Sequence, residues 1–126
     1  MGVTVALVNA TQEVAELLAR AAEFDTSGGG FILEDALAGQ VYAVRDECGA
    51  LLFAWTQETY RDRRGLVAYV TAAAGRDLAS MLPHIERVAR DLGAGHLGFK
   101  TARPGLVRAM QRAGFESRAV EMEKAL

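Results

Sequence analysis

The sequence predicts a single α+β domain whose elements run β-α-α-β-β-β-α-β-α-β. Three observations lead there. A chain of 126 residues, 51% hydrophobic and with no long apolar run, matches one globular core. Apolar spacing changes from a helical period to short β-rich runs near residue 40, and returns to a helical period near residue 79. Three strand-like runs in the middle follow one another across turn-forming residues, which is the pattern of a meander.

Residues 3–8, Val-Thr-Val-Ala-Leu-Val, are short, apolar and largely β-branched, which suits a first strand. Asn9 and Thr11 offer helix caps, and Gln12 lies three residues beyond Asn9 as in a capping box. Val14, Leu17, Leu18 and Ala21 form one stripe, with Glu13, Glu16, Arg20 and Glu23 largely opposite, so a helix is expected to about Phe24. Thr26, Ser27 and Gly28 to Gly30 break the chain, and a short helix from Phe31 to Leu37 closes at Gly39. Residues 41–44 and 51–55 form a hairpin across the turn at Asp46 to Gly49, and residues 66–71 add a third strand after the polar tip Arg61, Asp62, Arg63, Arg64, Gly65. Phe53 and Trp55 are assigned to opposite sides of the second meander strand, which leaves at most one of them in the main core and makes an exposed Trp55 a contact-site clue.

A second long helix is expected from near Ser80, because Pro83 is best tolerated in a first turn; Leu82, Ile85, Val88, Ala89 and Leu92 share its inner face and Gly93 ends it. A strand over residues 96–101 follows. Pro104 and Gly105 then open a helix with Leu106, Val107, Met110 and Ala113 inward, and Gly114 stops it. From Phe115 the alternation of Val120, Met122 and Leu126 with Glu121, Glu123 and Ala125 predicts a closing strand.

Composition removes several classes. No apolar run approaches the roughly 20 residues of a membrane helix, and residues 1–4 lack a basic flank leading into an apolar signal core, so a soluble, unexported protein is expected. The lone Cys48 and the two histidines, His84 and His96, are too few soft ligands for a zinc cluster, and no metal site is predicted. Cys48 reads as an incidental thiol in a turn, and both histidines as surface or packing residues. Charge is uneven along the chain: residues 1–60 carry two basic and nine acidic side chains, whereas residues 61–118 carry eleven basic and five acidic ones. A basic later half suits phosphate groups, or else neutralises the acidic half across the fold.

The order and lengths of these elements, with Ala89, Arg90, Asp91, Leu92 and Gly93 leading into the strand at His96 and with Arg112, Ala113, Gly114 and Phe115 further on, resemble the GNAT acyltransferase fold. The run Gly75, Arg76 with Met81, Leu82, Pro83 and the region Arg103, Pro104, Gly105 are similar to small GNAT-like proteins encoded by tailed phages and prophages. The resemblance implies a sheet splayed between its fourth and fifth strands, with acyl-coenzyme A wedged in the split. It places Val70, Thr71 and Ala72 beside pantetheine. Gly75 and Arg76, in a loop over residues 72–77, then meet diphosphate at a helix start, and Arg103 adds a second cation. In the family's phosphate loop, usually Gln/Arg-x-x-Gly-x-Gly/Ala, the corresponding residues here are Ala73, Arg76 and Leu78, so the loop is degenerate. The tyrosine that many members place four residues before the glycine of the Gly-Phe pair is Met110 here.

Acyl transfer to an amine needs a base for the amine proton and often an acid for the departing thiolate. Glu58, expected at the end of the second meander strand, is the candidate base; Tyr69, or Tyr60, is the candidate acid. Each also reads plainly, Glu58 as a solvated strand end and the tyrosines as half-buried sheet residues. Three functions remain open on the sequence. The first is an N-acyltransferase using acetyl-CoA and an unidentified amine, located in a bacterial cytoplasm. The second is a non-catalytic GNAT-fold module of a phage, a virion or assembly component acting through phage proteins or self-association. The third is nucleic-acid binding through Arg61, Arg63, Arg64 and the basic later half.

Overall fold

The computed structural model describes residues 2–21, 33–101 and 103–126. Within them the chain forms β1 (Thr4–Leu7), α1 (Gln12–Ala19), α2 (Leu33–Leu37), β2 (Gln40–Arg45), β3 (Leu51–Asp62), β4 (Gly65–Gly75), α3 (Leu78–Asp91), β5 (His96–Gly98) and α4 (Pro104–Arg112). The strands make one mixed sheet in the order β1-β2-β3-β4-β5. The first four are antiparallel neighbours, and β5 joins β4 in parallel after the crossover through α3. The expected glycine break, with Phe24 and Phe31, lies outside the described residues.

The meander strands are longer than their apolar runs suggest. β3 continues through Gln57, Glu58, Thr59 and Tyr60 because each of them finds a partner on β4, from Val70 back to Val67. At the other end Ala72, Ala73, Ala74 and Gly75 are strand residues opposite Thr56, Trp55, Ala54 and Phe53, where the expectation was a loop. Alanine has little β preference of its own. Beside Trp55 and Phe53, however, a small neighbour leaves room for the aromatic rings. Gly75 has φ +131°, and a Cβ built on it would come within 2.6 Å of Phe53 Cα, so the end of β4 depends on having no side chain.

Each face of the sheet carries its own core. Val14 and Leu18 of α1 and Ala36 of α2 cover Val41, Ala43, Ala54 and Ala72 on one face. On the other, Met81 and Ile85 of α3 cover Tyr42, Val44, Phe53 and Trp55. Phe53 and Trp55 are two residues apart and so share a face, which corrects their assignment to opposite sides; both are buried, and Trp55 is no exposed contact residue. Tyr42 stacks on Trp55 with ring centroids 4.9 Å apart. The indole N–H donates to Gln57 Oε1 at 2.8 Å, and Gln57 Nε2 donates to Gln40 Oε1 at 3.2 Å, so the buried glutamine is satisfied in a chain of hydrogen bonds.

Several ends differ from expectation. Thr11, rather than Asn9, caps α1, its hydroxyl accepting the Val14 N–H at 3.3 Å. α3 begins at Leu78 because Asp77 caps it, which puts Pro83 in the second turn instead of the first, where it cannot donate to the carbonyl four residues back. The strand expected over residues 96–101 is three residues long. The closing strand is absent among the described residues: residues 115–126 pair with no strand, and Val120, Met122 and Leu126 are exposed at 86%, 88% and 116%. Alternation alone does not make a strand without a sheet edge to pair with.

Gly75→Ala forces a side chain into β3 at a backbone angle that L-residues rarely adopt. It should lower unfolding free energy by about 2 kcal/mol or more in urea titrations. Gln57→Leu strands the Trp55 N–H in the core and should cost about 1–3 kcal/mol in the same measurement.

Candidate functional site

The parallel pairing of β4 with β5 covers only Val67 to Tyr69, opposite His96 to Gly98. Beyond Tyr69, β4 continues for six residues, Val70 to Gly75, paired with β3 alone among the described strands. The sheet is therefore open on that side from Val70 onward, where the resemblance implies a split.

A second feature lies at the same point. Thr56 pairs with Ala72 but Gln57 pairs with Val70, so Thr71 is an extra residue on β4, a β-bulge. Bulges bend the strand and increase its local twist. Its hydroxyl lies 2.6 Å from that of Thr56, which ties the bulge to β3. The departure of β4 from β5 thus coincides with a local change in its own path. The sequence carried no signal for the bulge, because Thr71 is an ordinary β-branched strand residue.

Glu58 and Tyr69 are direct cross-strand partners. That corrects the placement of Glu58 at a strand end, and it brings the two candidate catalytic residues onto one face with Cβ atoms of such pairs about 4.5–5.5 Å apart. The face is the one covered by α1 and α2 further along, and Glu58 lies just past that cover, exposed and beside the backbone of Gly39. Tyr60, two residues on, puts its ring centroid 6.5 Å from that of Tyr69. Gly98 of β5 lies beside the Tyr69 ring, where a Cβ would make ordinary contact with Tyr69 Cδ1 at 3.4 Å. Burial pushes the Tyr69 phenol above the ordinary tyrosine value; Lys100 pulls it down, and Tyr60 and Glu121 raise it. Lys100 and Glu121 form an ion pair at 2.7 Å, so the chain after α4 contributes a carboxylate to this surrounding. Neither residue was singled out by spacing or motif.

The candidate coenzyme residues fall into three places. Val70 faces α3, Thr71 forms the bulge, and the Ala72 side chain is buried under α1, so only backbone groups of Ala72 are available to a ligand. Gly75 closes β4 against Phe53, and Arg76 donates its N–H to the Leu52 carbonyl at 2.9 Å, which leaves Arg76 and Asp77 as the whole β4–α3 connection. At the start of α3 the Asp77 carboxylate accepts the Ala79 N–H at 3.1 Å and the Ser80 hydroxyl at 2.7 Å. A carboxylate therefore already occupies the helix terminus that would attract phosphate. Arg103 caps α4 from its backbone and lines an open cleft of about 590 Å³ with Pro104, Gly105, Leu106 and Ala109. Val70, Thr71, Gly75 and Arg76 do not line it. Met110, where the resemblance implies a tyrosine, is buried on α4. At the β3–β4 tip, Arg64 is committed to Asp62 through a 2.6 Å ion pair that holds the aspartate below its ordinary value.

No protein-family model matches the chain, and no curated protein matches its sequence. Solved structures do match along its whole length. The ribosomal-protein-alanine N-acetyltransferase from Brucella melitensis is 16% identical with a TM-score of 0.65, over 99% of this chain and 98% of that one. A GNAT family acetyltransferase from Staphylococcus aureus is 12% identical with a TM-score of 0.60, over 100% of both chains. An aminoglycoside acetyltransferase from an uncultured soil metagenomic sample is 10% identical with a TM-score of 0.65, over 100% of this chain and 99% of that one. The chain has the GNAT-like α+β fold. No helix among the described residues is long and apolar enough to cross a membrane.

Because the folded protein holds Tyr69 neutral more strongly than the unfolded chain does, its contribution is intact below pH 10.0 and fades as pH rises through the higher folded value. Urea midpoints should fall above about pH 10, and Tyr69→Phe should flatten that fall. An unchanged slope in the variant would show that Tyr69 ionises alike in both states.

Proposed function

We propose that the protein is an acyl-CoA-dependent N-acyltransferase that uses the open side of β4 for the acyl donor and Glu58 with Tyr69 for proton transfer. The observation that carries this reading is the coincidence of three features: the end of β4–β5 pairing at Tyr69 and Gly98, the bulge at Thr71, and the Glu58–Tyr69 pair beside both.

The backbone of residues 70–74 fits a pantetheine arm, because an unpaired strand edge offers donors and acceptors to its amides. The α3 terminus fits diphosphate less well, since Asp77 fills it, so Arg76 and Arg103 are assigned to the phosphates by charge. Bound acetyl-CoA supplies an acyl group on a thiolate leaving group. Glu58, exposed beside Gly39, accepts the proton that the acceptor amine loses, directly or through water. Tyr69, kept protonated by burial, holds a proton for the departing sulfur. The acceptor is an amine whose identity this arrangement leaves open.

One observation favours a second reading. The carboxylate cap on α3, with the degenerate loop before it, suits a GNAT-fold module that acts by protein contact, as a virion or assembly component of a phage would.

Millimolar acetyl-CoA should raise the melting temperature and give a calorimetric binding signal; neither effect would remove the enzyme reading and leave the second. Given activity on an amine, Glu58→Gln should lower kcat by about 100-fold with the substrate KM little changed. Tyr69→Phe should lower kcat less at neutral pH and abolish the alkaline limb of the rate profile.

A further inference from the structure

At the edge of the sheet away from the proposed site, β1 carries a surface that the acyltransfer reading does not use. Val8 N–H donates to Val41 O at 2.8 Å, extending the β1–β2 register of Thr4↔Arg45 to Leu7↔Tyr42 by one residue. Residues in an antiparallel ladder alternate between bonding the neighbour and facing away from it. Thr4, Ala6 and Val8 therefore turn their backbone groups toward β2, while Val5 and Leu7 turn theirs outward, and no described strand takes them. The edge strand is short, and among the described residues it lacks the charges, prolines and bulges that commonly block pairing. Residues 3–8 contain no charge and no proline, and β1 shows no bulge. Val3, Val5 and Leu7 make an apolar row on the α3 face, with Val3 38% and Leu7 63% exposed. The row runs into a cleft of about 350 Å³ between β1 and α3, floored by Val5, Tyr42 and Val88 and rimmed by His84, Arg87 and Asp91.

We infer that this edge pairs with the same edge of a second copy, joining two sheets through an antiparallel β1–β1 ladder about a two-fold axis at Ala6. Val5 then lies opposite Leu7 of the partner subunit and Leu7 opposite Val5 of the partner subunit, so the outward backbone groups of each copy meet those of the other. An uncharged strand pairs with itself without setting like charges opposite each other. On the cleft rim, Arg87 and Asp91 stand one helical turn apart. The same axis runs the two α3 helices antiparallel, which presents a cation toward an anion in both directions, and the joined apolar rows are withdrawn from water. A second copy is favoured over an unrelated strand because edge, row and rim are each complementary to themselves.

The test is sedimentation equilibrium of the full chain over a concentration series reaching the millimolar range, on the wild type and on Ala6→Lys, with circular dichroism to confirm that the variant folds. Ala6 is exposed and belongs to neither core cluster, so lysine is accommodated in the monomer while the axis sets it against its own copy. The expected result is a wild-type dimer, an Ala6→Lys dissociation constant raised at least about tenfold, and an Ala6→Thr variant that stays dimeric. Arg87→Glu should weaken the dimer, and adding Asp91→Arg should restore it. A wild type that is monomeric throughout, or a folded Ala6→Lys variant as dimeric as the wild type, would overturn the inference. Coenzyme binding is read separately, so failure here leaves the acyltransfer reading standing, and the converse holds.

Discussion

β4 is asked to satisfy two neighbours and fully satisfies only one. It pairs with β3 from Gly65 to Gly75 but with β5 only from Val67 to Tyr69. Much else follows from that inequality. Where β5 leaves, the outer edge of residues 70–74 pairs with no described strand, and outward polar backbone groups there have to be met by water, by other groups of the chain or by a ligand. The extra residue at Thr71 sits within two positions of the departure, and the Thr56–Thr71 hydroxyl contact holds the kink to β3 rather than letting it slide toward β5. The opening is thus fixed from the closed side of the strand.

That constraint also sorts the candidate residues by the kind of work they can do. Glu58 and Tyr69 stand in direct register at the last position where β4 pairs with β5, so their separation is set by strand geometry and not by a loop. Ala72 and Gly75, by contrast, are held by packing: one lies under α1, and the other has to be glycine because β3 is too close for a side chain. The positive character expected at the start of α3 is already answered by Asp77, which anchors the helix through Ala79 and Ser80. On the proposed reading, the two ends of a bound coenzyme would meet unlike surroundings, the outer edge of β4 for the arm and the side chains of Arg76 and Arg103 for the phosphates.

Most of the fold was legible because its elements have strong periods or strong punctuation. α3 shows a clear apolar face, and the hairpin turns are marked by Asp46 with Gly49 and by Asp62 with Gly65. The errors cluster where local pattern and tertiary pairing disagree. The alanine run over residues 72–74 looks like a loop beside a glycine, yet it completes a strand because each alanine pairs with β3, Ala73 as the small neighbour of Trp55 and Ala72 in the core of the other face. The tail with Val120 and Met122 has a strand's alternation but gains no edge to pair with. Of the site, residue types were readable and spatial relations were not. Glu58 and Tyr69 were named singly for their chemistry, whereas their register, the bulge, and the approach of Lys100 and Glu121 depend on hairpin pairing and on the path of the chain after α4.

The stability of the arrangement rests on the face opposite Glu58 and Tyr69, where Tyr42, Phe53 and Trp55 are packed under α3 and the Trp55–Gln57–Gln40 hydrogen bonds fix the middle of the meander. A rigid middle lets one side of β4 stay unpaired without the strand fraying. Amide hydrogen exchange of the full chain, resolved by residue, tests this most directly when measured with and without acetyl-CoA. The account predicts that outward-facing amides of residues 70–74 exchange fast in the free protein and slow markedly on adding the coenzyme, while residues 67–69 are protected throughout. Outward-facing amides of residues 70–74 that are already protected in the free protein, or that the coenzyme leaves unchanged, would contradict it.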